Sequence, residues 1–451
     1  MENQFDLIVT GGGMSGVCCA IAAARQGLRV LLVEKGGCLG GTACASGVMH
    51  LLGGRRYDAA SDRMTREVGG LFDEITDEMI ALGKAVDPDA IDVHHYNPYG
   101  WYPRMAAGIA CDVDYLKYHL ERKCLESGVR LLYCAQVTGV ETADRRIKAL
   151  TAHGPGSALH LSAPLYADCT GDAAIAAMSG CSVALGREGD HAVCPSTLIF
   201  YVDHVDTGAY VAYQNAHQSP KLVEIIQDLR EKGIWRYPFE IFIAIETAEP
   251  GVFMVNTPRQ THVDGTDPFS LTQGLIEGRR IAYDLLDIMN RYFPGFENAR
   301  MRRVFDRMGI RESRRILARH MISLPDALAG RHYESCVAST TYNFDLPDPD
   351  RPSYDPMMGD AKNPNANRQH ACIEIPYASL LPREMDNLIV AGRCLGAERE
   401  VMGACRVMGP CAGMGQAAGN AAALAVQGDF AAVENQALRA LLRAQGCIGC
   451  R

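Results

Sequence analysis

The sequence lacks the long apolar runs and the leader that would send a chain into or across a membrane. In its 451 residues there is no run of roughly 18 or more apolar residues, so no transmembrane helix is predicted. Residues 1–4 contain no basic n-region and lead directly into a short apolar segment, which argues against a cleaved signal peptide. We therefore expect a cytoplasmic protein that does not bind a membrane.

An excess of positive charge is also missing. The chain has 44 Lys and Arg against 53 Asp and Glu, a formal net charge of −9, and no block of basic residues. Proteins that hold nucleic acids mainly through phosphate contacts carry a basic patch or stripe. The negative net charge therefore argues against a nucleic-acid partner, although a chain with this net charge can still carry a local basic patch.

Metal-binding and disulfide patterns are missing despite 17 cysteines. No C-x-x-C-x-x-C run suits an iron–sulfur cluster, and an odd count does not suit a complete disulfide framework. Most cysteines stand among apolar residues, which is typical of buried thiols in a reducing cytoplasm, so no residue is assigned to a metal. The C-x-x-C spacing of Cys447 and Cys450 leaves open a redox role for the C-terminus.

What the sequence does contain is a nucleotide-binding pattern near its start. Leu7–Val9 are apolar, which is typical of a buried parallel strand. The spacing G-x-G-x-x-G follows at Gly11, Gly13 and Gly16. These glycines permit a tight turn, close approach of the backbone to a pyrophosphate, and close packing of the next helix. Glu34 ends the second apolar run, where a carboxylate can accept hydrogen bonds from a ribose.

Two later segments extend this site. Gly40 and Gly41 come just past Glu34 and suit a loop around the pyrophosphate and ribityl side of a long dinucleotide. Near the C-terminus, Pro410 opens an Ala-rich helix after a buried strand, and the start of that helix can stabilise negative charge on a reduced flavin. Two loops for one ligand favour FAD over NAD. No second strand with a G-x-G-x-x-G unit is present for NAD(P)H.

The order of apolar and polar segments predicts an α/β protein in three parts. Residues 1–189 form the first part of a Rossmann-like FAD-binding domain, with a parallel sheet and a small antiparallel meander. Residues 190–375 mix strand-like and helical segments, which indicates an inserted α+β substrate or cap domain. Residues 376–451 return to the FAD-binding domain. Within the middle part, helices are predicted over residues 300–308 and 312–320.

An arginine cluster is the most charged spot of the middle part. Arg311, Arg314 and Arg315 have the helix spacing i, i+3, i+4, so part of the cluster would share one face. Such a cluster can hold a substrate carboxylate or a phosphate of the cofactor. Internal salt bridges with Glu312 and Asp306 are the alternative.

Arg406 and His50 complete the candidates on the substrate side. His50 follows the loop that is expected near the flavin, so it could act as an acid or base, with a structural role as the alternative. The catalytic candidates are therefore Arg311, Arg314, Arg406 and His50.

Several motifs along nearly the whole chain carry a family resemblance. They lie at residues 9–16 (Val-Thr-Gly-Gly-Gly-Met-Ser-Gly), 39–41, 168–172 (Asp-Cys-Thr-Gly-Asp), 309–315, 387–394 and 415–419. With them the chain resembles the FAD-dependent oxidoreductase family. The resemblance points to the branch of fumarate-reductase flavoproteins and GidA-type proteins in the glutathione-reductase-like two-dinucleotide superfamily. It implies non-covalent FAD, with Glu34 on the adenosine ribose and Val137 near the adenine.

The glycine pattern and the resemblance together give a set of expected cofactor-binding residues. They are Gly11, Gly12, Gly13, Met14, Ser15, Gly16, Glu34, Lys35, Gly40, Gly41, Thr42, Val137, Gly171, Asp172, Gly392, Arg393, Ala412, Gly413, Met414 and Gly415. One pair departs from the wider superfamily, where a Gly-Asp pair usually ends the late strand and the Asp binds the ribityl chain. Here the pair is Gly392-Arg393, so Arg393 could instead reach a phosphate or the substrate.

These features predict an FAD-dependent oxidoreductase, a dehydrogenase or reductase that transfers a hydride between the flavin and a small polar or anionic metabolite. Two alternatives stay open. One is a thiol or electron-transfer flavoprotein that uses Cys447 and Cys450, and the other is a GidA-like nucleic-acid-modifying flavoprotein, against which the acidic balance counts. An external electron donor or acceptor and a homo-oligomer are both compatible with the sequence.

Overall fold

The computed structural model describes residues 5–100, 105, 107–355, 359–360, 372–425 and 428–448. Within this part of the chain, the larger hydrophobic core lies around a parallel sheet, with clusters on both of its faces, and a smaller, aromatic core lies in the middle of the sequence. None of the described helices is long and apolar enough to cross a membrane.

The strands of the described residues are short. In chain order they are β1 Leu7–Thr10, β2 Val30–Val33, β3 His50–Leu51, β4 Arg55–Asp58, β5 Arg63–Arg66, β6 Ile109–Ala110, β7 Arg130–Leu132, β8 Gln136–Ala143, β9 Arg146–Gly154, β10 Ser157–Leu161, β11 Leu165–Asp168, β12 Val183–Leu185, β13 Phe200–Asp203, β14 Ala244–Glu246, β15 Phe253–Val255, β16 Arg300–Val304, β17 Arg314–Ile316, β18 Cys336–Thr340, β19 Tyr354–Asp355, β20 Gly359–Asp360, β21 Ile373–Pro376 and β22 Leu388–Val390.

The helices vary more in length. They are α1 Met14–Arg25, α2 Gly70–Ala81, α3 Val113–Glu126, α4 Ala174–Met178, α5 Thr207–His217, α6 Val223–Glu231, α7 Pro268–Tyr292, α8 Leu324–Ala329, α9 Arg399–Cys405, α10 Met408–Leu424 and α11 Asn435–Ala444. Short 3-10 helices cover Pro88–Ala90, Tyr377–Leu380 and Phe430–Ala432.

A parallel sheet with the order β22–β11–β1–β2–β7 forms the centre of the larger core. Leu7 of β1 pairs with Leu165 on one side and with Val30 on the other, and every side chain of these three strands is buried. The strand order reverses between β1 and β11, so the carboxyl ends of these two strands border a crevice of the kind in which open α/β sheets bind ligands. The predicted α/β fold with a Rossmann-like parallel sheet is confirmed.

Among the described residues, two antiparallel sheets of more than two strands accompany the parallel one. The strands β8, β9 and β10 form the predicted meander. In the middle of the chain, β14–β15–β13–β16 form a sheet that packs with α5, α6 and α7 around a core rich in aromatic rings. The strand β18 pairs with β21, and both contribute side chains to the larger core. The division of the chain at residues 189 and 375 stays a prediction.

The helices predicted over residues 300–308 and 312–320 are wrong. Residues 300–304 form β16, which pairs with β13, and residues 314–316 form β17, which pairs with β12. In β16 the side chains of Met301 and Val304 pack against the aromatic core, and Arg300, Arg302 and Arg303 are exposed. Pairing with a neighbouring strand outweighs the helix propensity of these arginine-rich segments. The i, i+3, i+4 argument for the arginines therefore does not apply.

Close contact between α1 and α10 joins the two ends of the chain. A Cβ added to Gly415 would lie 2.0 Å from the carbonyl oxygen of Ser15, and one added to Gly419 would lie 2.2 Å from that of Cys19. Only glycine lets the backbones approach this closely. The C-terminal helix is thereby fixed beside the helix that follows the first glycine motif.

We expect Gly415→Ala to destabilise the protein by about 3 kcal/mol or more. The new methyl group would overlap the backbone of α1, and the packing of the two helices prevents them from moving apart. Gly413→Ala is the matched control. Its Cβ would lie 3.4 Å from the side chains of Ala338 and Val68, an ordinary contact. Urea unfolding of both variants measures the difference. Equal stabilities would contradict the packing described here.

Candidate active site

The first helix starts at the crevice without a side-chain cap. Gly13 is the N-cap residue of α1, and no described side chain accepts a capping hydrogen bond there. By contrast, Asp112, Asp206 and Asp267 cap α3, α5 and α7. An uncapped helix start presents N–H groups and the positive end of the helix dipole, which suits an anionic ligand such as a pyrophosphate.

Two glycines allow the backbone of neighbouring loops to come close to the start of this helix. Gly11 has φ +96°, and a Cβ there would lie 2.5 Å from the carbonyl oxygen of Cys169. Gly41 has φ +52°, and a Cβ there would lie 2.8 Å from the Cα of Gly13. Both backbone conformations are ones that side-chain-bearing residues rarely adopt. The crevice is therefore walled by bare backbone where a phosphate would approach.

Glu34 lies at the end of β2, buried and held in place by backbone. Its Oε2 accepts from the N–H of Gly12 at 2.8 Å and its Oε1 from the N–H of Gly36 at 2.7 Å. Arg307 reaches the same carboxylate, with Nη2 at 3.4 Å from Oε1. Since Arg307 follows β16, the middle part of the chain closes over this end of the crevice.

A cavity of about 540 Å³ follows the crevice and continues under the middle part of the chain. Its lining includes Glu34 and Val137 as well as Arg311 and His50. The predicted site residues that line it are Gly11, Gly13, Met14, Ser15, Glu34, Lys35, Gly40, Gly41, Thr42, Val137, Gly171, Asp172, Arg311, Arg393, Arg406 and His50. One cavity thus joins the nucleotide-binding pattern to most of the catalytic candidates, and its lining of bare glycine backbone and a buried carboxylate fits a dinucleotide.

The remaining predicted residues do not line this cavity. They are Gly12, Gly16, Gly392, Arg314, Ala412, Gly413, Met414 and Gly415. A Cβ at Gly16 would lie 1.8 Å from the carbonyl oxygen of Gly11, and one at Gly392 would lie 2.8 Å from Oγ of Ser15.

The start of α10 contacts the cavity earlier in the sequence than expected. Val407, Met408 and Cys411 line the wall, and no described side chain caps the helix at Val407. Residues 412–415 are buried in the helix, and Gly415 faces α1 instead. The helix begins at Met408 rather than at Pro410, and a cofactor contact of residues 412–415 stays a prediction.

Arg393, which replaces the usual aspartate, bonds mainly to the protein itself. Its Nε donates to the carbonyl of Gly171 at 2.8 Å and its Nη2 to Oδ1 of Asp172 at 2.5 Å. Its Nη1 donates to the carbonyl of Ile310. Asp172 also accepts from Oγ of Ser313 at 2.8 Å. Arg393 therefore ties the loop after β11 to residues 309–313 while its side chain lines the cavity.

Arg311 is held by three neutral oxygens at the cavity wall. Its Nη1 donates to the carbonyl of Pro195 at 2.7 Å and to Oγ1 of Thr197 at 2.9 Å, and its Nη2 donates to Oδ1 of Asn256 at 3.2 Å. These bonds fix the guanidinium without neutralising its charge.

Two further arginines lie in the same wall. Nη2 of Arg406 donates to the carbonyl and to Oδ2 of Asp345, both at 2.8 Å. Arg259 donates from Nη1 to the carbonyl of Pro352 at 2.5 Å, and its buried Nε has no hydrogen-bond partner among the described residues. We call Arg259, Arg311 and Arg406 the cavity arginines. Arg259 was not predicted, because it stands alone between Pro258 and Gln260 and only the fold brings it to the other two.

The cavity arginines carry more positive charge than their surroundings neutralise. Burial, followed by repulsion from Arg259 and Arg406, lowers the pKa of Arg311 to about 10. Burial also lowers the pKa of Arg259. Burial alone would raise the pKa of Asp345, but attraction to the three arginines outweighs it and lowers that pKa. Two carboxylates, Asp345 and Asp355, thus lie among three guanidinium groups, and the remaining positive charge favours an anionic ligand.

Arg314 stays apart from this cluster. Its Nε donates to the carbonyl of Asp172 at 3.0 Å, and it does not line the cavity. Arg314 belongs to β17 and pairs with Leu185 of β12, whereas Arg311 precedes the strand. The predicted placing of Arg311 and Arg314 on one helix face is wrong because these residues do not form a helix.

His50 is buried in the cavity wall, on β3. Neither ring nitrogen makes a hydrogen bond of ordinary geometry within the part of the chain that the structure describes. A Cβ at Gly108 would lie 2.2 Å from Nε2, so the ring packs directly against that glycine. Burial lowers the pKa of His50 to about 4. The ring is therefore neutral near pH 7 and offers one donor and one acceptor to a ligand.

Acidification should remove the stability that the neutral His50 provides. In the unfolded chain the ring has a pKa of 6.5, so below this pH the unfolded state takes up a proton that the folded state accepts only near pH 4. Between about pH 7 and about pH 4.5 the wild type should lose about 2 to 3 kcal/mol more than His50→Gln. Urea unfolding of both proteins at the two pH values checks this. Identical pH dependence would mean that His50 is not buried as a neutral ring.

The C-terminal cysteine pair is described only in part. The N–H of Cys447 donates to the carbonyl of Leu442 at 3.0 Å, and its backbone forms a bridge with Gly69. Cys450 lies outside the described residues. A role for this pair stays a prediction.

Comparison with protein families gives a match over nearly the whole chain. The profile of a family described as FAD dependent oxidoreductase matches residues 6–442.

Matches to individual proteins are shorter. A stretch of 55 residues, 12% of this chain and 8% of the relative, is 49% identical to mitochondrial glycerol-3-phosphate dehydrogenase of Saccharomyces cerevisiae. A stretch of 94 residues, 20% of either chain, is 34% identical to the probable electron transfer flavoprotein-quinone oxidoreductase YgcN of Escherichia coli. These stretches span less than a quarter of each relative. A geranylgeranyl bacteriochlorophyll reductase-like protein from Thermoplasma acidophilum superposes with a TM-score of 0.48 at 13% identity, over 98% of this chain and 84% of the other.

Proposed function

Because the chain belongs to the FAD dependent oxidoreductase family and FAD is its cofactor, we propose that it is a dehydrogenase or reductase that transfers a hydride between the flavin and a small anionic metabolite. The observation that carries the proposal is the set of cavity arginines, which face the same cavity as the glycine motif and carry uncompensated positive charge. Coulomb attraction in a site shielded from water is strong enough to select an anion over a neutral analogue.

Different residues of the crevice would bind different parts of the cofactor. The backbone of Gly11–Gly16 and the loop Gly40–Thr42 would contact the pyrophosphate, and Glu34 would accept from the adenosine ribose. Residues 407–411, at the uncapped start of α10, would face the flavin and favour negative charge there. When bound, FAD supplies the ring that takes or gives the hydride.

The other groups of the cavity have roles that follow from their charge. The cavity arginines would bind the anionic group of the substrate and so orient the C–H bond that is broken, while Asp345 would keep Arg406 in place. The neutral ring of His50 has one acceptor nitrogen, which can take the proton of a substrate hydroxyl or amine as the hydride leaves, or return it in the reverse direction. Arg314 would support the loop at Asp172.

After the hydride transfer, the flavin must return to its starting redox state in a second half-reaction. We propose that a partner outside the chain donates or accepts the electrons for this step. The similarity of one stretch to a probable electron transfer flavoprotein-quinone oxidoreductase supports this proposal. A cytoplasmic location and the absence of a nucleic-acid partner stay predictions from the sequence.

Anaerobic mixing of the flavin-loaded protein with matched metabolites tests the proposed function. Each pair in the panel consists of a small hydroxy or amino acid, or a phosphate ester, and its uncharged amide or alcohol. We expect loss of the visible flavin absorbance with at least one anionic member and at least about tenfold slower loss with its neutral partner. Bleaching by neutral members alone would contradict the proposal.

A further inference from the structure

One segment of the middle part lines the cavity from the end at Glu34 to the cavity arginines. Each residue of 306–311 belongs to the lining. Near the start of this segment Arg307 contacts Glu34, with Nη2 at 3.4 Å from Oε1, and at its end Arg311 donates to Oγ1 of Thr197 at 2.9 Å. Since the segment follows β16, the middle part of the chain forms a wall of the site in which FAD is expected.

Glu34 holds Arg307 at this wall without using all of its donors. A guanidinium has five N–H groups in a planar fork. Within the part of the chain that the structure describes, the hydrogen bond to Glu34 is the one that Arg307 makes. The side chain of Arg307 is 34% exposed, and it lines the cavity. Its other N–H groups are therefore available to a ligand in the cavity.

Gly36 leaves the space for this approach. A Cβ there would lie 3.1 Å from Oε1 of Glu34 and 3.3 Å from Nη2 of Arg307, both closer than an ordinary contact. The N–H of Gly36 donates to the same Oε1 at 2.7 Å, and Oε2 accepts from the N–H of Gly12. Backbone and guanidinium thus fix the carboxylate together, and a side chain at position 36 would crowd both charged groups.

The charges around Arg307 suit a phosphate-bearing ligand. Lys35 also lines the cavity, next to Glu34 in the chain. Asp306 is the neighbouring carboxylate in the lining, but its side chain is almost fully exposed and lies 3.8 Å from Arg279. The pyrophosphate of FAD is negatively charged, and arginine binds phosphate oxygens more specifically than any other cationic side chain.

We propose that Arg307 is a cofactor-binding residue, which the middle part of the chain supplies to the ADP half of FAD. The guanidinium stays on Glu34 and donates its other N–H groups to oxygen atoms of that half. This inference rests on the cofactor placement of the proposed function, because it assumes that the adenosine ribose lies at Glu34. It adds that the part of the chain that carries Arg311 and Arg259 for the substrate also holds the cofactor.

Binding of FAD and of ADP to the flavin-free, full-length protein tests the proposal. ADP is the probe because it contains the half of FAD that Arg307 is inferred to contact and lacks the flavin. Arg307→Met should weaken the binding of both ligands by the same factor, about fivefold to tenfold at low salt. Because Arg307 is partly exposed, this loss should shrink to within about twofold at about 0.5 M salt. Calorimetric titration of the wild type and the variant measures these affinities.

Two further variants separate the effect of the charge from general damage. Arg302 lies on β16, pairs with Glu249 at 2.8 Å and does not line the cavity. Arg302→Met should therefore bind FAD and ADP within about twofold of the wild type. Arg307→Lys keeps the positive charge and should stay within about threefold. If circular dichroism shows that Arg307→Met does not fold, Arg307→Gln takes its place, with the same expected loss.

Four results would overturn the inference. They are unchanged binding of both ligands in Arg307→Met, weaker binding of FAD with unchanged binding of ADP, an equal loss in Arg302→Met, or a loss in Arg307→Lys as large as in Arg307→Met. A wrong cofactor placement would give a different result. Gly13→Ala, whose methyl group would enter the gap beside Gly41, should also weaken the binding of ADP. If neither Gly13→Ala nor Arg307→Met does so, or if the wild type does not bind ADP, the ADP half lies elsewhere and the proposed placement is itself wrong.

Discussion

Replacement of Gly13 by alanine should give a folded protein that has lost most of its flavin. Gly13 has φ −71°, a conformation open to any residue, and its nearest neighbour for a new Cβ is the Cα of Gly41 at 4.0 Å. The methyl group therefore meets no atom of the described residues closer than 4.0 Å, but it would occupy the gap between α1 and the glycine loop where the pyrophosphate is expected. A clash of this kind should weaken FAD binding by about tenfold to hundredfold.

The ratio of flavin to protein after purification and the affinity for added FAD measure this effect, with circular dichroism as the check on folding. Gly37→Ala is the control, because Gly37 is exposed and a Cβ there has no neighbour within 4 Å. Full flavin content and unchanged FAD affinity in Gly13→Ala would show that the pyrophosphate does not lie at the start of α1.

The second large effect is expected from Arg311→Gln. The wall of the cavity would lose a guanidinium whose hydrogen bonds within the described residues go to neutral oxygens, so the charge available to an anion would fall while the fold keeps its polar contacts. Removing one partner of a buried charge–charge contact typically costs several kcal/mol. We therefore expect flavin reduction by the best anionic substrate, at concentrations below saturation, to slow by about 100-fold.

Arg314→Gln is the matched control for this experiment. The same substitution three residues later removes a bond to the carbonyl of Asp172 but takes no charge from the cavity lining, to which Arg314 does not belong. Its rate should stay within about threefold of the wild type. If both variants slowed equally, or if neither did, the anion would not be bound by Arg311.

The nucleotide end of the site could be predicted from the sequence because it is local. One strand, one turn and one helix contain Gly11, Gly13 and Gly16, and their spacing alone requires bare backbone at fixed positions. Glu34 is fixed in the same way, because the next strand along the chain ends beside the first. The spacing of the glycines and the apolar runs is therefore enough to predict which residues of β1 and β2 lie side by side at this end of the sheet.

The substrate end could not be predicted in the same way. Arg259 lies on a segment with no motif, and it meets Arg311 and Arg406 only through packing of the middle sheet against the larger core. Asp345, which partners Arg406, lies 61 residues away from it in the chain. Arg314 looked like a partner of Arg311 by helix spacing, but strand pairing with β12 decided the local structure. Tertiary contacts of this kind leave no periodic signal in one sequence.

The most direct test of the central claim is single-turnover reduction of the flavin by the best anionic substrate with deuterium in place of the transferred hydrogen. Our account predicts that the deuterated substrate bleaches the flavin several-fold more slowly in the wild type, and that Arg311→Gln weakens substrate binding while it keeps this isotope effect. Bleaching without an isotope effect, or with equal affinity in Arg311→Gln, would contradict hydride transfer from an anion held by the cavity arginines.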